Sequence, residues 1–139
     1  MSYFIELPTY KDPRGSLTVI DDAACKLPFE VKRIFSIHRT TDEARGGHKH
    51  YKTHEAVICI SGSCVITTHE DGQPKKDYVL DTPEKCLIVE AQEWRVLHSF
   101  SPDAVLFVMA SWPYEKADYI YEPAQKNSHD PLRRSASVK

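Results

Sequence analysis

Residues 45–69 read Arg45-Gly46-Gly47-His48-Lys49-His50-Tyr51-Lys52-Thr53-His54-Glu55-Ala56-Val57-Ile58-Cys59-Ile60-Ser61-Gly62-Ser63-Cys64-Val65-Ile66-Thr67-Thr68-His69. Glu55–Ser61 and Cys64–His69 are short runs rich in Val, Ile and Thr, the composition of strands, and Ser61-Gly62-Ser63 between them is turn chemistry because Gly supplies positive φ without a steric penalty. If residues 48–60 are extended, a side-chain period of two puts His48, His50, Ala56, Ile58 and Ile60 on one face, toward a core.

The same text continues outward. Prolines and turn residues recur at short intervals, and no long segment carries a helical period. The expected strands are Ser16–Asp21, Val31–Ile37, Glu55–Ser61, Cys64–His69, Asp77–Leu80, Leu87–Glu90, Trp94–Phe100 and Val105–Ser111. With Asp71-Gly72 as a second tight turn, the pattern predicts consecutive antiparallel hairpins in an all-β barrel or sandwich; closed into a β-barrel or jelly roll, such strands leave a mouth where side chains converge on a small ligand. One domain over residues 1–126 is expected, with 127–139 as a tail outside the core, since that stretch has only scattered apolar residues.

Composition excludes several classes. Eighteen Lys and Arg against 20 Asp and Glu give a formal charge of −2, far from the basic excess of a phosphate-backbone binder, so nucleic acid is not an expected partner. No apolar run approaches the roughly 18 residues of a membrane span, and no basic-then-apolar leader opens the chain, so a cytoplasmic protein with no membrane partner is expected. Cys25, Cys59, Cys64 and Cys86 form no CxxC pair and read as reduced core thiols.

The chemistry concentrates in His48 and His50. Neutral imidazole accepts or donates a proton near neutral pH, so an i, i+2 pair facing a sugar or carbonyl compound serves as base and acid. The spacing also fits a metal pattern, His-x-His followed by Glu55 and Gly62, which resembles the first motif of the cupin superfamily. The second cupin motif has Pro, Gly and His where this chain has Ala91, Glu93 and Val96, and Arg95 is a fixed cation beside the site. His98 would replace the missing ligand only if a bulge re-aimed it, so no metal is expected.

Further motifs fall in the order and spacing of one family: Asp12-Pro13-Arg14-Gly15-Ser16-Leu17, Arg45-Gly46-Gly47-His48-Lys49-His50, Gly62-Ser63-Cys64, Leu80-Asp81-Thr82-Pro83, Trp94, Phe100-Ser101, Ala110-Ser111 and Asp118-Tyr119-Ile120. From Tyr10 to Tyr121 the chain resembles the dTDP-4-keto-6-deoxyglucose 3,4-ketoisomerases, the WxcM-like, RmlC-like cupins. The resemblance implies a metal-free jelly roll, a homodimer, and a dTDP-sugar substrate whose ketone moves between C4 and C3 without a cofactor, on the way to deoxyamino sugars of surface polysaccharide. It implies that His50 is the carbon base and that His48 relays protons at the substrate oxygens.

The resemblance also points to Arg45 as a substrate-binding residue, where a guanidinium suits a diphosphate or an enediolate. Arg14 either reaches the nucleotide or clasps a turn through Asp12. Trp94 either stacks on a base or sugar or fills the core. Arg95 and His98 complete the candidate substrate-binding set. The chain departs from the family pattern at Lys49, at Arg95, where a histidine is usual, and at Ser36, where an aromatic hydroxyl is expected. Two other readings stand beside isomerisation: a non-catalytic nucleotide-sugar-binding module, and a metal-dependent cupin enzyme using His48, His50, Glu55 and His98.

Overall fold

The computed structural model describes residues 1–21 and 27–121. Its strands are β1 (Tyr3–Glu6), β2 (Thr9–Asp12), β3 (Gly15–Thr18), β4 (Arg33–Ile37), β5 (Arg45–His50), β6 (Glu55–Ser61), β7 (Cys64–His69), β8 (Lys76–Leu80), β9 (Lys85–Val89), β10 (Trp94–His98), β11 (Val105–Ala110) and β12 (Tyr119–Tyr121). One 3₁₀ turn, Lys116–Asp118, precedes β12. The first sheet runs β1-β9-β6-β11-β4, the second β12-β5-β10-β7-β8, and β2 with β3 forms a separate hairpin. Every pairing is antiparallel, as expected for a jelly roll. No strand pairing joins the two large sheets among the described residues, so they form an open sandwich and not a closed barrel.

Strand β6 shows why the fold takes this form. Its residues 55–59 are all buried, the pattern of a strand covered on both faces. Val57 and Cys59 join Ile66, Leu80, Leu87, Val89, Leu97, Leu106 and Val108 in the core between the sheets. Ala56 and Ile58 face the other way, into a second cluster with Leu7, Cys86, Ile88 and Met109, against which Ile5, Ile20, Leu27, Phe29 and Val31 pack. The outer face of the first sheet is therefore roofed by the chain's early segments.

This corrects the one-face reading of residues 48–60. The chain leaves strand geometry between His50 and Glu55, so the period of two does not carry across. On β6 the side facing the second sheet carries Glu55 and Val57, while Ala56 and Ile58 lie on the opposite face and Ile60 is exposed.

The hairpin expectation holds at one turn and fails at the other. Asp71-Gly72 lies between β7 and β8, which pair with each other. Ser61-Gly62-Ser63 instead carries the chain from the first sheet to the second, since β6 pairs with β9 and β11 while β7 pairs with β8 and β10. Gly62 has φ +70, and a Cβ there would stand 3.0 Å from Ala104 Cα and closer still to Ser101 Oγ. The loop packs on this corner through Ser101 N–H donating to Ser63 C=O at 2.9 Å.

Strands β1, β2, β5 and β12 are absent from the sequence expectation: β2 and β5 are polar, and the very short β1 and β12 take their stability from distant partners, β9 and β5. The expected Trp94–Phe100 strand stops at His98, where Ser99 takes φ +57. Cys59, Cys64 and Cys86 are buried and form no disulfide among the described residues; Cys25, the boundary at residue 126 and the tail at 127–139 lie outside the described residues.

Candidate functional site

The histidine pair is placed by two glycines. On β5, Gly46 and Gly47 have φ +88 and +75, conformations that favour Gly, and the register against β10 shifts between Arg95 and Val96, so that Arg95 pairs with His48 and Val96 with Gly46. Gly47 is the extra residue of a β-bulge. A side chain at Gly46 would also crowd the Arg95 carbonyl, 3.0 Å from its Cβ. Beyond the bulge His48 and His50 lie on one face, their rings 4.8 Å apart and perpendicular.

A cavity of about 210 Å³ opens between the sheets. Its wall includes Arg33, Arg45, His48, Glu55, Arg95 and Tyr119 over an apolar floor of Val57, Ile66, Val89 and Leu97. His48 thus lines the cavity, while His50 lies behind it with no exposed surface. Burial is the first reason that both imidazoles are held down to about 3; Arg95 depresses both, and His50 further depresses His48. Both rings are therefore neutral at physiological pH, the form in which an imidazole can act as a base.

His50 sits between two carboxylates. Its Nδ1 is 3.1 Å from Asp118 Oδ2, and its Nε2 is 3.8 Å from Glu55 Oε2 and has no hydrogen-bond partner. Asp118 also accepts from the Thr53 hydroxyl and, at 2.8 Å, from the Lys52 N–H. Burial pushes this carboxyl upward, but the hydrogen bonds from Thr53, Lys52 and His50 outweigh it and keep the pKa below the ordinary value. Tyr119 follows at once in sequence; it pairs with His50 across the sheet edge, and its ring lies 4.5 Å from that of His50 and 4.8 Å from that of His48. Burial pushes its phenol up to about 12, which leaves it a hydrogen-bond donor.

Arg95 is fully committed. Its Nη1 donates to Glu55 Oε1 at 2.7 Å, and its Nε and Nη2 donate to the carbonyls of Glu93 and Glu90. Arg33 and Arg45 form no ion pair among the described residues, and Arg33 Nε is buried without a partner. The Arg33 guanidinium lies over the rings of Phe35 and Tyr114 at the cavity wall.

Of the residues singled out from the sequence, His48, Arg45 and Arg95 meet at this cavity, with His50 directly behind. Trp94 and His98 alternate with Arg95 and Leu97 along β10 and are not part of its lining. His98 bonds instead to Thr67 and Ser99, and Lys75 lies over the Trp94 ring. The bulge does not bring His98 round to His48 and His50, so the donor set of the metal reading does not converge. Arg14 is at the tip of the β2–β3 hairpin, where it bonds to Asp12 at 2.6 Å and clasps the turn.

Sequence reasoning missed Arg33 and gave Asp118 and Tyr119 no role. Asp118 stands 68 positions from His50, so no local spacing links them, and the only signal was the Asp118-Tyr119-Ile120 motif.

Comparisons with known proteins agree with one another. A TDP-4-oxo-6-deoxy-alpha-D-glucose-3,4-oxoisomerase from Aneurinibacillus thermoaerophilus is 38% identical over 110 residues, covering 78% of each chain. The crystal structure of a 3,4-ketoisomerase from Helicobacter canadensis superposes with a TM-score of 0.82 at 32% identity, covering 97% of each chain. A histidine-to-asparagine mutant of the 3,4-ketoisomerase QdtA from Thermoanaerobacterium thermosaccharolyticum, in complex with TDP-4-keto-6-deoxyglucose, also gives 0.82, at 28% identity over 98% of this chain and 94% of its own. The family described as FdtA, WxcM-like, C-terminal, matches residues 1–129, nearly the whole sequence, and the chain is a member of it.

Proposed function

We propose that this protein is a metal-independent 3,4-ketoisomerase acting on a TDP-linked 4-keto-6-deoxyhexose. The observation that carries the reading is the neutral His48–His50 pair at a cavity whose wall also holds two arginines, Arg33 and Arg45, without carboxylate partners among the described residues. Unpaired guanidinium groups suit a diphosphate, and neutral imidazoles suit proton transfer at carbon. Named relatives of this chain act on such sugars.

The reaction needs no net electron transfer. The C4 carbonyl acidifies the C3–H; binding of the sugar has to open the wall in front of His50, whose Nε2, buried in the free protein, then takes that proton. The C3–H electron pair becomes the C3=C4 bond, and the C4 oxygen takes the negative charge. His48, on the cavity wall, moves the hydroxyl proton from the C3 oxygen toward the C4 oxygen. Return of a proton to C4 then leaves the ketone at C3. The Tyr119 hydroxyl is the donor best placed to steady the enediolate oxygen, in a site where a fixed donor acts without competition from water.

The product, a 3-ketone, is the functional group that an aminotransferase needs to install a 3-amino group, which fits a place in deoxyamino-sugar synthesis. We place the chain in the cytoplasm as a homodimer, with exposed Tyr10 and Leu17 on the β2–β3 hairpin supplying apolar surface for a second copy. No described helix is long and apolar enough to cross a membrane.

The test is incubation of the wild-type protein with TDP-4-keto-6-deoxyglucose in deuterated water, followed by NMR. The expected result is the 3-keto isomer carrying deuterium at C4. Saturable binding without exchange of any sugar C–H would instead make this a binding module.

A further inference from the structure

We infer that Asp118 is a positioning residue that fixes the tautomer of His50, so that the nitrogen turned away from it carries the lone pair needed to accept the substrate's proton. The inference deepens the proposed isomerase reading and rests on it only for its kinetic arm.

A neutral imidazole bears one N–H, and the partner of one nitrogen decides which. Ionised Asp118 can only accept. Its Oδ1 takes the Lys52 N–H at 2.8 Å, and its Oδ2 takes the Thr53 hydroxyl and faces His50 Nδ1 at 3.1 Å. The proton of His50 must therefore sit on Nδ1. Nε2 is buried, has no hydrogen-bond partner, and lies 3.8 Å from Glu55, a cavity-lining residue. An N–H there would be an unsatisfied buried donor, because the oxygen it faces, Glu55 Oε2 at 3.8 Å, lies beyond hydrogen-bond reach.

Backbone hydrogen bonds fix the ring's surroundings. The Asp118 C=O accepts the Tyr51 N–H at 2.9 Å, and the His50 C=O accepts the Gln92 N–H at 2.7 Å, so the backbone on either side of the ring is tied down. Tyr119, next in the chain, pairs with His50 and packs on its ring. One short segment therefore holds the base from behind and covers it.

The geometry predicts what an amide would do. In Asp118→Asn the Lys52 N–H still requires an oxygen, so the amide oxygen stays on that side and the NH₂ group takes the place of Oδ2. His50 Nδ1 would then face a donor and must become an acceptor, which drives the ring proton to Nε2. Volume and backbone are preserved, but the wrong nitrogen is protonated.

The experiment is ¹⁵N NMR of the histidine rings in the full-length protein, with His50 signals identified by their loss in His50→Asn. It is paired with steady-state kinetics on TDP-4-keto-6-deoxyglucose and with calorimetric binding of TDP. In wild type, Nδ1 should be protonated and Nε2 unprotonated between about pH 6 and 8. In Asp118→Asn the tautomer should reverse, and kcat should fall by about 10³-fold while KM and the TDP Kd stay within about threefold.

Wild-type His50 already protonated at Nε2 would overturn the inference, and this measurement does not depend on any variant folding. So would Asp118→Asn with unchanged kcat, or with kcat lost while the His50 tautomer stays as in wild type. A wild-type protein that fails to turn over the sugar would sink the proposed function, while the ring spectra would still decide the role of Asp118.

Discussion

Arg95 and Glu55 form a buried ion pair, Nη1 to Oε1 at 2.7 Å, in the wall of the cavity that His48 lines. Each charge is tolerable there only because of the other, since an unpaired ion in a dry site carries its full desolvation cost.

Arg95→Met should therefore destabilise the protein by about 3–5 kcal/mol by stranding Glu55, measured as a fall in the urea midpoint at pH 7. Glu55→Gln strands Arg95 less severely, because three guanidinium contacts to the Glu90 and Glu93 carbonyls remain. The ordering Arg95→Met worse than Glu55→Gln is the expected outcome.

Replacement of the imidazoles should separate chemistry from binding. His50→Asn should lower kcat by about 10³-fold and His48→Asn by about 10²-fold, within the usual range for loss of a proton-transfer group. Neither should change TDP affinity by more than about threefold, because neither ring is among the cations expected to meet the diphosphate. Calorimetry with TDP and a single-turnover assay with the keto sugar check the pair of claims.

Arg33 and Arg45 should behave in the opposite way. Arg45→Met and Arg33→Met should each weaken TDP binding by about tenfold, roughly the loss of one charge-assisted hydrogen bond. The double variant should show a shallower dependence of affinity on salt concentration than wild type.

Stability should fall as the solution is acidified. Both histidines titrate near 3 in the folded protein against 6.5 when exposed, so between those values the unfolded chain binds more protons than the native one. Native stability is therefore lost as pH drops below about 6.5, at up to about 1 kcal/mol per pH unit for each ring. His48→Gln should flatten the slope by about half, read from denaturation curves at pH 5, 6 and 7.

Gly62→Ala should destabilise the protein by more than about 1 kcal/mol, because Ala resists the positive φ and its Cβ meets Ala104 at the corner between the sheets. Gly72→Ala, at φ +83 in open space, bears only the backbone penalty and should cost less. Thermal midpoints compare the two.

The central strands were readable because their own side chains carry the signal. The apolar runs of β6, β7, β9, β10 and β11 lie within two or three residues of where their composition put them. Of the edge strands, β4 and β8 were expected but β1 and β12 were not, since Tyr3–Glu6 and Tyr119–Tyr121 are extended only because a distant partner binds them. The same division runs through the site. His48, His50 and Arg45 stand in one dense motif, and the i, i+2 spacing by itself gave the two histidines a common face, while Arg45 joins them through the bulge at Gly47. Asp118 and Arg33 reach the pair through sheet topology, and no spacing along the chain encodes that meeting. Trp94 and His98 misled for a related reason: proximity in sequence to Arg95 says nothing about side until the alternation of β10 is fixed.

Strand β6 belongs to two cores at once, with Glu55 and Val57 turned to the cavity and Ala56 and Ile58 turned to the roof made by the early segments. A change in the roof, such as a larger side chain opposite Ala56, shifts the same backbone that carries the partner of Arg95. Tolerance to sequence drift is accordingly uneven: the exposed positions of β8 are free to diversify, whereas the attic of the molecule answers to the chemistry on the floor below.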